Sequence, residues 1–113
     1  MTEKERYEKF IDTKQEKLRL KLCLEGFFEG EDKKHEAEYL AYIKRRIRPA
    51  AYALLEKDEA DKLEILERLG VIGEREVEYL LKSSVDEGKI QCFVWLVGIK
   101  AEKYGFNDRD FTL

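Results

Sequence analysis

The stretch KLRLKLCLEG, residues 17–26, constrains the fold most, because its spacing fits two kinds of secondary structure. Its apolar positions alternate with other residues in the order Leu18, Leu20, Leu22 and Leu24. Such alternation is typical of a half-buried β-strand. The same residues are helix formers without β-branching, and Leu18 and Leu22 continue a helical face that begins at Tyr7. We therefore expect a helix with two apolar faces, which is an inner helix with neighbours on both sides.

The segment QCFVWLV, residues 91–97, has the same two-sided character and also fits a buried strand. Read as a helix, its first apolar side consists of Ile90, Val94, Val97 and Ala101, and its second of Cys92, Trp95, Leu96 and Ile99. The following GIKAEKY continues a helix better than a strand, so we predict a helix. A bare second face on either helix would be a docking site for a second copy or another partner. If both faces are covered, the polar middle of the chain is the working surface.

The fold class is predicted from the high content of charged residues and the low content of turn-forming Pro and Gly. Charged residues make up 42% of the chain, well above the usual ~25%. One Pro and 7 Gly are too few turn formers for a small all-β domain. We predict an all-α protein of five or six helices packed as antiparallel αα-hairpins. A single domain, 1–113, is expected, with N-terminal helices in 1–48, helical hairpins in 49–104 and a short tail in 105–113.

Several local signals give helix boundaries. Thr2 and Glu5 form a capping box for the first helix, and Gly26 and Gly30 bracket a turn. Pro49 disfavours helix at the residue before it and suits the first position of a new helix, 49–57. The remaining signals are Asp58 as the cap of a helix running to Leu69, Gly70 as its end, a cap at Gly73, and a helix over 74–87 that stops at Gly88.

The chain partly matches itself at an offset of 27 residues. The matched pairs are Tyr52 and Tyr79, Leu54 and Leu81, Lys62 and Lys89, Leu63 and Ile90, and Leu69 and Leu96. Chance and a structural repeat of stacked helical hairpins both account for matches this few. SVDEGKIQCFVWLV resembles the inner helix, glycine turn and outer helix of an ankyrin repeat, with Gly88 at the turn. The resemblance covers about residues 52–97 without the Thr-Pro-Leu-His signature, and it implies protein–protein recognition without catalysis.

The candidate binding residues are the cations of KRRIRP and two nearby tyrosines. They are Tyr39, Tyr42, Lys44, Arg45, Arg46 and Arg48. Arginine pairs bidentately with phosphates and carboxylates, and exposed Tyr and Arg together are typical of interface anchors. Two structural roles compete with this interpretation. Cations are favoured at a helix C-terminus, and tyrosines often border a core.

Other chemistry is poorly supported by the sequence. The single His35 cannot build a metal cluster or serve a nucleophile alone, so we expect no enzyme activity, metal or cofactor. Cys23 and Cys92 lie in apolar runs, and we expect buried reduced thiols. No stretch approaches the ~20 apolar residues of a membrane span, so we expect a cytoplasmic protein without membrane contact, from a bacterium.

The function that these observations favour is a non-enzymatic protein–protein interaction module, an adaptor or inhibitor that docks through a rigid helical face. The partner is another protein, and self-association is left open. The alternative is a nucleic-acid-associated regulator that uses the Lys44–Arg48 cluster. A formal charge of −3 disfavours bulk attraction to nucleic acid.

Overall fold

The computed structural model describes residues 1–31 and 33–105, and all regular secondary structure in these ranges is helical. The elements are α1 Glu3–Asp12, α2 Glu16–Glu29, α3 Glu36–Arg45, α4 Ile47–Glu56, α5 Ala60–Arg68, α6 Glu74–Glu87, α7 Ile90–Ile99 and a π-helical turn Lys100–Tyr104. The all-α prediction is confirmed. The predicted count of five or six helices is low, because seven α-helices lie in the described ranges alone. Apart from Gly105, the predicted tail lies outside the described residues.

The chain divides into two compact units, the first Met1–Ala50 and the second from Ala51 onward. In the first unit, α2 contacts α1 and also α3. Leu22, Cys23 and Phe27 of α2 are buried. Residues 17–26 therefore form an inner helix, as expected, and the strand alternative is wrong for this stretch.

The first predicted helical face crosses a break in the chain, and this accounts for the extra helix. The Thr2 hydroxyl accepts a hydrogen bond from the Glu5 N–H at 3.1 Å, so the predicted cap is confirmed. The helix then ends at Asp12, and Thr13 adopts an extended conformation. The Thr13 hydroxyl accepts a hydrogen bond from the Gln15 N–H at 3.2 Å. A Thr side chain that bonds the backbone two residues on offers a local alternative to the helix, so one predicted helix becomes α1 and α2.

The turn predicted at Gly26 is also wrong, since Gly26 is buried inside α2. A Cβ atom built on Gly26 would lie 2.5 Å from Cε2 and Cζ of Tyr39 and 2.9 Å from its Oη. A side chain at position 26 would overlap with the Tyr39 ring, so the ring packs this closely only against glycine. Gly26 is thus a packing residue between α2 and α3, whereas Gly30 does lie at the end of α2.

The helix break near Pro49 lies two residues earlier than predicted. Arg46 leaves the helical conformation (φ −121°, ψ 40°), and α4 begins at Ile47. Pro49 is therefore the third residue of α4, and Arg48 is helical. The first four N–H groups of a helix have no partner within it, so a proline there costs no hydrogen bond.

In the second unit, α7 contacts both α6 and α5. The bounds of α6 agree with the prediction, and Gly88 ends it in a left-handed conformation (φ +66°). Gly70 follows α5 with φ +77°, as expected of a helix-terminal glycine. The Gly73 N–H donates to the carboxylate of Glu76 at 2.8 Å, so the predicted cap at Gly73 is confirmed. The buried apolar residues of α5, α6 and α7 include Leu63, Leu66, Val77, Leu80, Cys92 and Leu96.

Asp58 caps a helix other than the predicted one. Glu59 precedes α5 as its N-cap, whereas the Asp58 carboxylate accepts hydrogen bonds from the N–H groups of Cys92 (2.9 Å) and Gln91 (3.2 Å) in α7. These bonds, that to Cys92 first, hold the pKa of Asp58 below its usual value. Asp58 itself has φ +54°. The loop before α5 thus fixes the N-terminus of α7.

The hairpin arrangement of adjacent helices is compatible with a helical repeat. The offset of 27 residues aligns the start of α4 at Ile47 with the start of α6 at Glu74. The second matched helices differ in environment, because Leu63 is buried and its counterpart Ile90 is exposed. The correspondence is therefore limited to where the first helices begin, since within them Leu54 is buried and its counterpart Leu81 is half-buried.

Candidate functional site

The four cations of the predicted cluster are exposed around the junction of α3 and α4. Lys44 and Arg45 lie in the last turn of α3, where the helix dipole favours positive charge. The Arg45 guanidinium lies 5.9 Å from the centre of the Tyr42 ring, which is a cation–π contact. Arg46 pairs with Glu16 of α2 at 3.3 Å. The cluster is thus a cationic surface whose members are partly held by neighbours on α2 and α3.

Tyr39 and Tyr42 were expected to be partly exposed, and the structure corrects this expectation. Their exposed fractions are 2% and 4%. Both rings pack edge-on against Phe10 of α1, with centroids 5.0 Å and 5.4 Å away. Burial is the main cause that raises the pKa of each phenol. Both tyrosines are thus aromatic core residues of the first unit, and Tyr42 contacts the cationic surface through Arg45.

A groove adjoins this surface on the first unit. Its volume is about 280 Å³, and its lining residues are Phe10, Ile11, Arg19, Glu38, Ala41, Tyr42 and Arg45. We call it the α1–α3 groove. Its apolar part comes from α1 and α3, and its two guanidinium groups come from Arg19 and Arg45. The groove therefore offers an apolar floor with a cation on α2 and another on α3.

Arg19 is the residue of this groove that the sequence did not single out. A terminal nitrogen of its guanidinium donates to the Thr13 carbonyl at the break between α1 and α2. Its Nε atom is buried and has no hydrogen-bond partner among the described residues. Arg19 lies 26 positions before Arg45 and within the alternating stretch, so only the packing of α2 on α3 brings the two together.

The acidic edge of the groove is engaged by a neighbouring ring. The Tyr7 hydroxyl donates to Oε2 of Glu38 at 2.5 Å, and this hydrogen bond is the main cause that raises the pKa of Tyr7. The Tyr7 ring stacks on His35 with centroids 3.4 Å apart, and His35 Nδ1 lies 3.8 Å from Glu38. His35 thus packs on an aromatic ring beside a carboxylate.

A second candidate surface lies on the second unit. Four large apolar side chains of α6 and α7 are exposed, namely Val85 (61%), Ile90 (71%), Phe93 (38%) and Val94 (64%). We call this set the exposed α7 face. A shallow hollow of about 220 Å³ lies beside it, between Val85, Ile90 and Phe93. Of the two helices predicted to have two apolar faces, α2 has a helix on each side, whereas no described helix covers the exposed α7 face.

The remaining predicted features have clear structural roles. Cys23 and Cys92 are free and buried, as expected. Burial raises the pKa of each thiol to about 12. In the described ranges, no three His, Cys, Asp or Glu side chains are grouped so that they could hold a metal ion. No described helix has the length and apolar character needed to cross a membrane.

Comparisons with known proteins add no family to this description. No family model matches the chain, and no curated protein or solved structure gives a significant match.

Proposed function

We propose that this protein is a non-enzymatic interaction module, an adaptor or inhibitor, whose first unit binds an acidic segment of another protein in the α1–α3 groove. The observation that carries the proposal is the pairing of an apolar floor with the guanidinium groups of Arg19 and Arg45. A carboxylate on the partner would pair with a guanidinium, and an adjacent apolar side chain would cover Ile11 and Phe10.

The distribution of charge along the chain supports an acidic partner. The first unit carries thirteen Lys and Arg against eleven Asp and Glu, whereas the sequence from Ala51 onward carries nine against fourteen. The first unit is thus net positive within a protein of net charge −3. Complementary charge raises the rate of association and selects among partners more than it adds affinity.

Rigid support for the cations is a further argument. Arg45 lies over the buried Tyr42 ring, and Arg46 is held by Glu16, so less side-chain freedom is lost when a partner binds. The ankyrin-like character suggested by residues 52–97 concerns the second unit and stays a prediction there; it is not part of the support for the groove. A cytoplasmic location and a bacterial source remain predictions.

The test compares two charge reversals of equal size. Arg45→Glu/Arg46→Glu changes Arg45, which lines the groove, and its chain neighbour Arg46 at the end of α3, whereas Lys17→Glu/Lys21→Glu changes two exposed cations on α2 that do not line the groove. The probes are a labelled peptide in which Asp and Glu flank a Leu, and the same peptide with Lys in place of its acids. We expect the acidic peptide alone to bind, with an affinity that falls as salt rises. The affinity of the groove variant for the acidic peptide should fall about tenfold or more, and that of the α2 variant should change little.

The same assay includes labelled duplex DNA and single-stranded RNA. Tight, strongly salt-dependent binding of a nucleic acid that is lost in the Arg45→Glu/Arg46→Glu variant would support the alternative regulator and overturn the interaction module. Equal losses in both variants would mean that the groove is not the site.

A further inference from the structure

The α7 helix is apolar around its circumference, yet one side of it has no neighbour among the described residues. Cys92 and Leu96 are fully buried, whereas Ile90, Phe93 and Val94 are exposed. Helices of globular proteins that are apolar on all sides are normally covered on all sides. The other exposed large apolar side chains of the described helices are scattered by comparison, for example Ile11 on α1 and Ile65 on α5. We therefore expect another helix or protein surface to cover the exposed α7 face.

The spacing of this face defines the shape of the occupant. The apolar positions along this side of α7 are Ile90, Val94 and Val97, separated by four and three residues. A repeat of four and three residues packs one helix along another with interlocking side chains. The occupant that fits is a helix with the same repeat, and the same face of a second copy has it.

Charge also favours a second copy. No Asp, Glu, Lys or Arg occurs within Ile90–Ile99, and Gln91 is the polar exception. Apart from Lys89, which precedes the helix and lines the hollow beside Ile90, charge offers a partner little to select on this face. Two copies of an uncharged stripe match each other, and interfaces between identical chains are more apolar than those between transient partners.

The apolar area of the exposed α7 face is close to what an interface between two copies needs. From the exposed fractions of Val85, Ile90, Phe93 and Val94, the bare apolar surface is roughly 400 Å² per copy, within the range of functional patches. Two such faces, together with flanking residues such as Gly98 and Ala101, approach the ~1,000 Å² at which specific interfaces begin.

We propose that the exposed α7 face pairs with the same face of a second copy of this chain, helix against helix. The pairing goes beyond the proposed function and is independent of it, because it uses α6 and α7 and not the α1–α3 groove.

The test is sedimentation equilibrium of the full chain over a range of concentrations, with Val94→Asp, Ile90→Asp and a matched control, Ile65→Asp. Ile65 is an apolar residue of α5 that is 43% exposed and lies outside the face. We expect the wild type and Ile65→Asp to form a dimer. Val94→Asp and Ile90→Asp should weaken dimerisation by about a hundredfold or more, because each dimer would bury two unpaired carboxylates. All three positions are exposed, so circular dichroism should show unchanged helix content in every variant.

A wild type that stays monomeric at all concentrations would overturn the pairing, even if another protein binds this face instead. A dimer that persists in Val94→Asp and Ile90→Asp, or a trimer or tetramer, would overturn it as well. These outcomes are separate from the peptide assay, since the Arg45→Glu/Arg46→Glu variant should still dimerise.

Discussion

Replacing Gly26 by Ala tests the close contact between α2 and α3. The new methyl group would lie 2.5 Å from Cε2 and Cζ of Tyr39, whereas carbon atoms in contact sit at ~3.5–4.0 Å. The ring must therefore move by about 1 Å. It is held between Phe10 and Tyr7, with centroids 5.0 Å and 6.3 Å away, so it cannot shift without disturbing the aromatic core.

The change in the free energy of unfolding that Gly26→Ala causes is the sum of two opposing effects. Overpacking a core costs about 1–3 kcal/mol, and Gly to Ala inside a helix gains about 0.5–1 kcal/mol. We expect Gly26→Ala to lower the free energy of unfolding by roughly 1–2 kcal/mol. Gly98→Ala in α7 is the control, because a Cβ there meets nothing within 4 Å. It should raise the free energy of unfolding by up to about 1 kcal/mol.

The assay is urea denaturation followed by far-ultraviolet circular dichroism, at a protein concentration at which both variants and the wild type are monomeric. The two substitutions are chemically identical and should move the midpoint in opposite directions. In a Tyr39→Leu background the ring is gone, and Gly26→Ala should become stabilising. A Gly26→Ala variant as stable as the wild type would refute the packing role of this glycine.

Three further predictions concern buried or capping polar groups. Tyr39→Phe should raise the free energy of unfolding by about 1 kcal/mol, because the buried Tyr39 hydroxyl has no hydrogen-bond partner among the described residues; a loss of stability in urea denaturation would contradict this. The thiols of Cys23 and Cys92, whose pKa burial raises to about 12, should resist a thiol reagent at neutral pH and react fully in urea; mass spectrometry measures this, and rapid labelling of the folded protein would argue against burial. Asp58→Ala should destabilise the protein most above pH 3.8, the ordinary pKa of this carboxyl, and the pH-dependent part of the difference should vanish as the pH falls through the lower pKa of the folded state. Thermal melts against pH, with Asp86→Ala as an exposed control, measure it, and a constant difference down to acid pH would count against the cap.

Local signals predicted much of the fold because they depend on few residues. The cap at Thr2, the helix over 74–87 and its end at Gly88 were all predicted, since a capping hydroxyl or a glycine acts on its own turn. Some errors concern positions contacted by a distant residue, whereas the missed break after α1 depends on a local bond between Thr13 and Gln15. Local rules predicted a turn at Gly26, whereas Gly26 lies inside α2 in close contact with the Tyr39 ring.

The candidate site was predicted in the same uneven way. The exposed cations from Lys44 to Arg48 were found, because a dense charge run must be solvated. Tyr39 and Tyr42 were predicted as candidate surface anchors, with a place at the border of the core left open. Both rings are buried, and the Tyr42 hydroxyl donates to Glu16 at 2.9 Å, whereas that of Tyr39 has no hydrogen-bond partner among the described residues. Arg19 was missed because its place beside Arg45 depends on how α2 packs against α3.

The two helices with two apolar faces separate what a pattern predicts from what it leaves open. Periodicity reports that both sides of α2 and of α7 are apolar, and it carries no information about what covers them. For α2 the chain supplies α1 and α3. For α7 it supplies α6 and α5 on one side, while Ile90 and Val94 stay exposed. Folding is driven by apolar burial, so a face that the described chain leaves bare retains that driving force for association. Because α7 has an apolar face that no described helix covers, we infer that a second copy of the chain covers it.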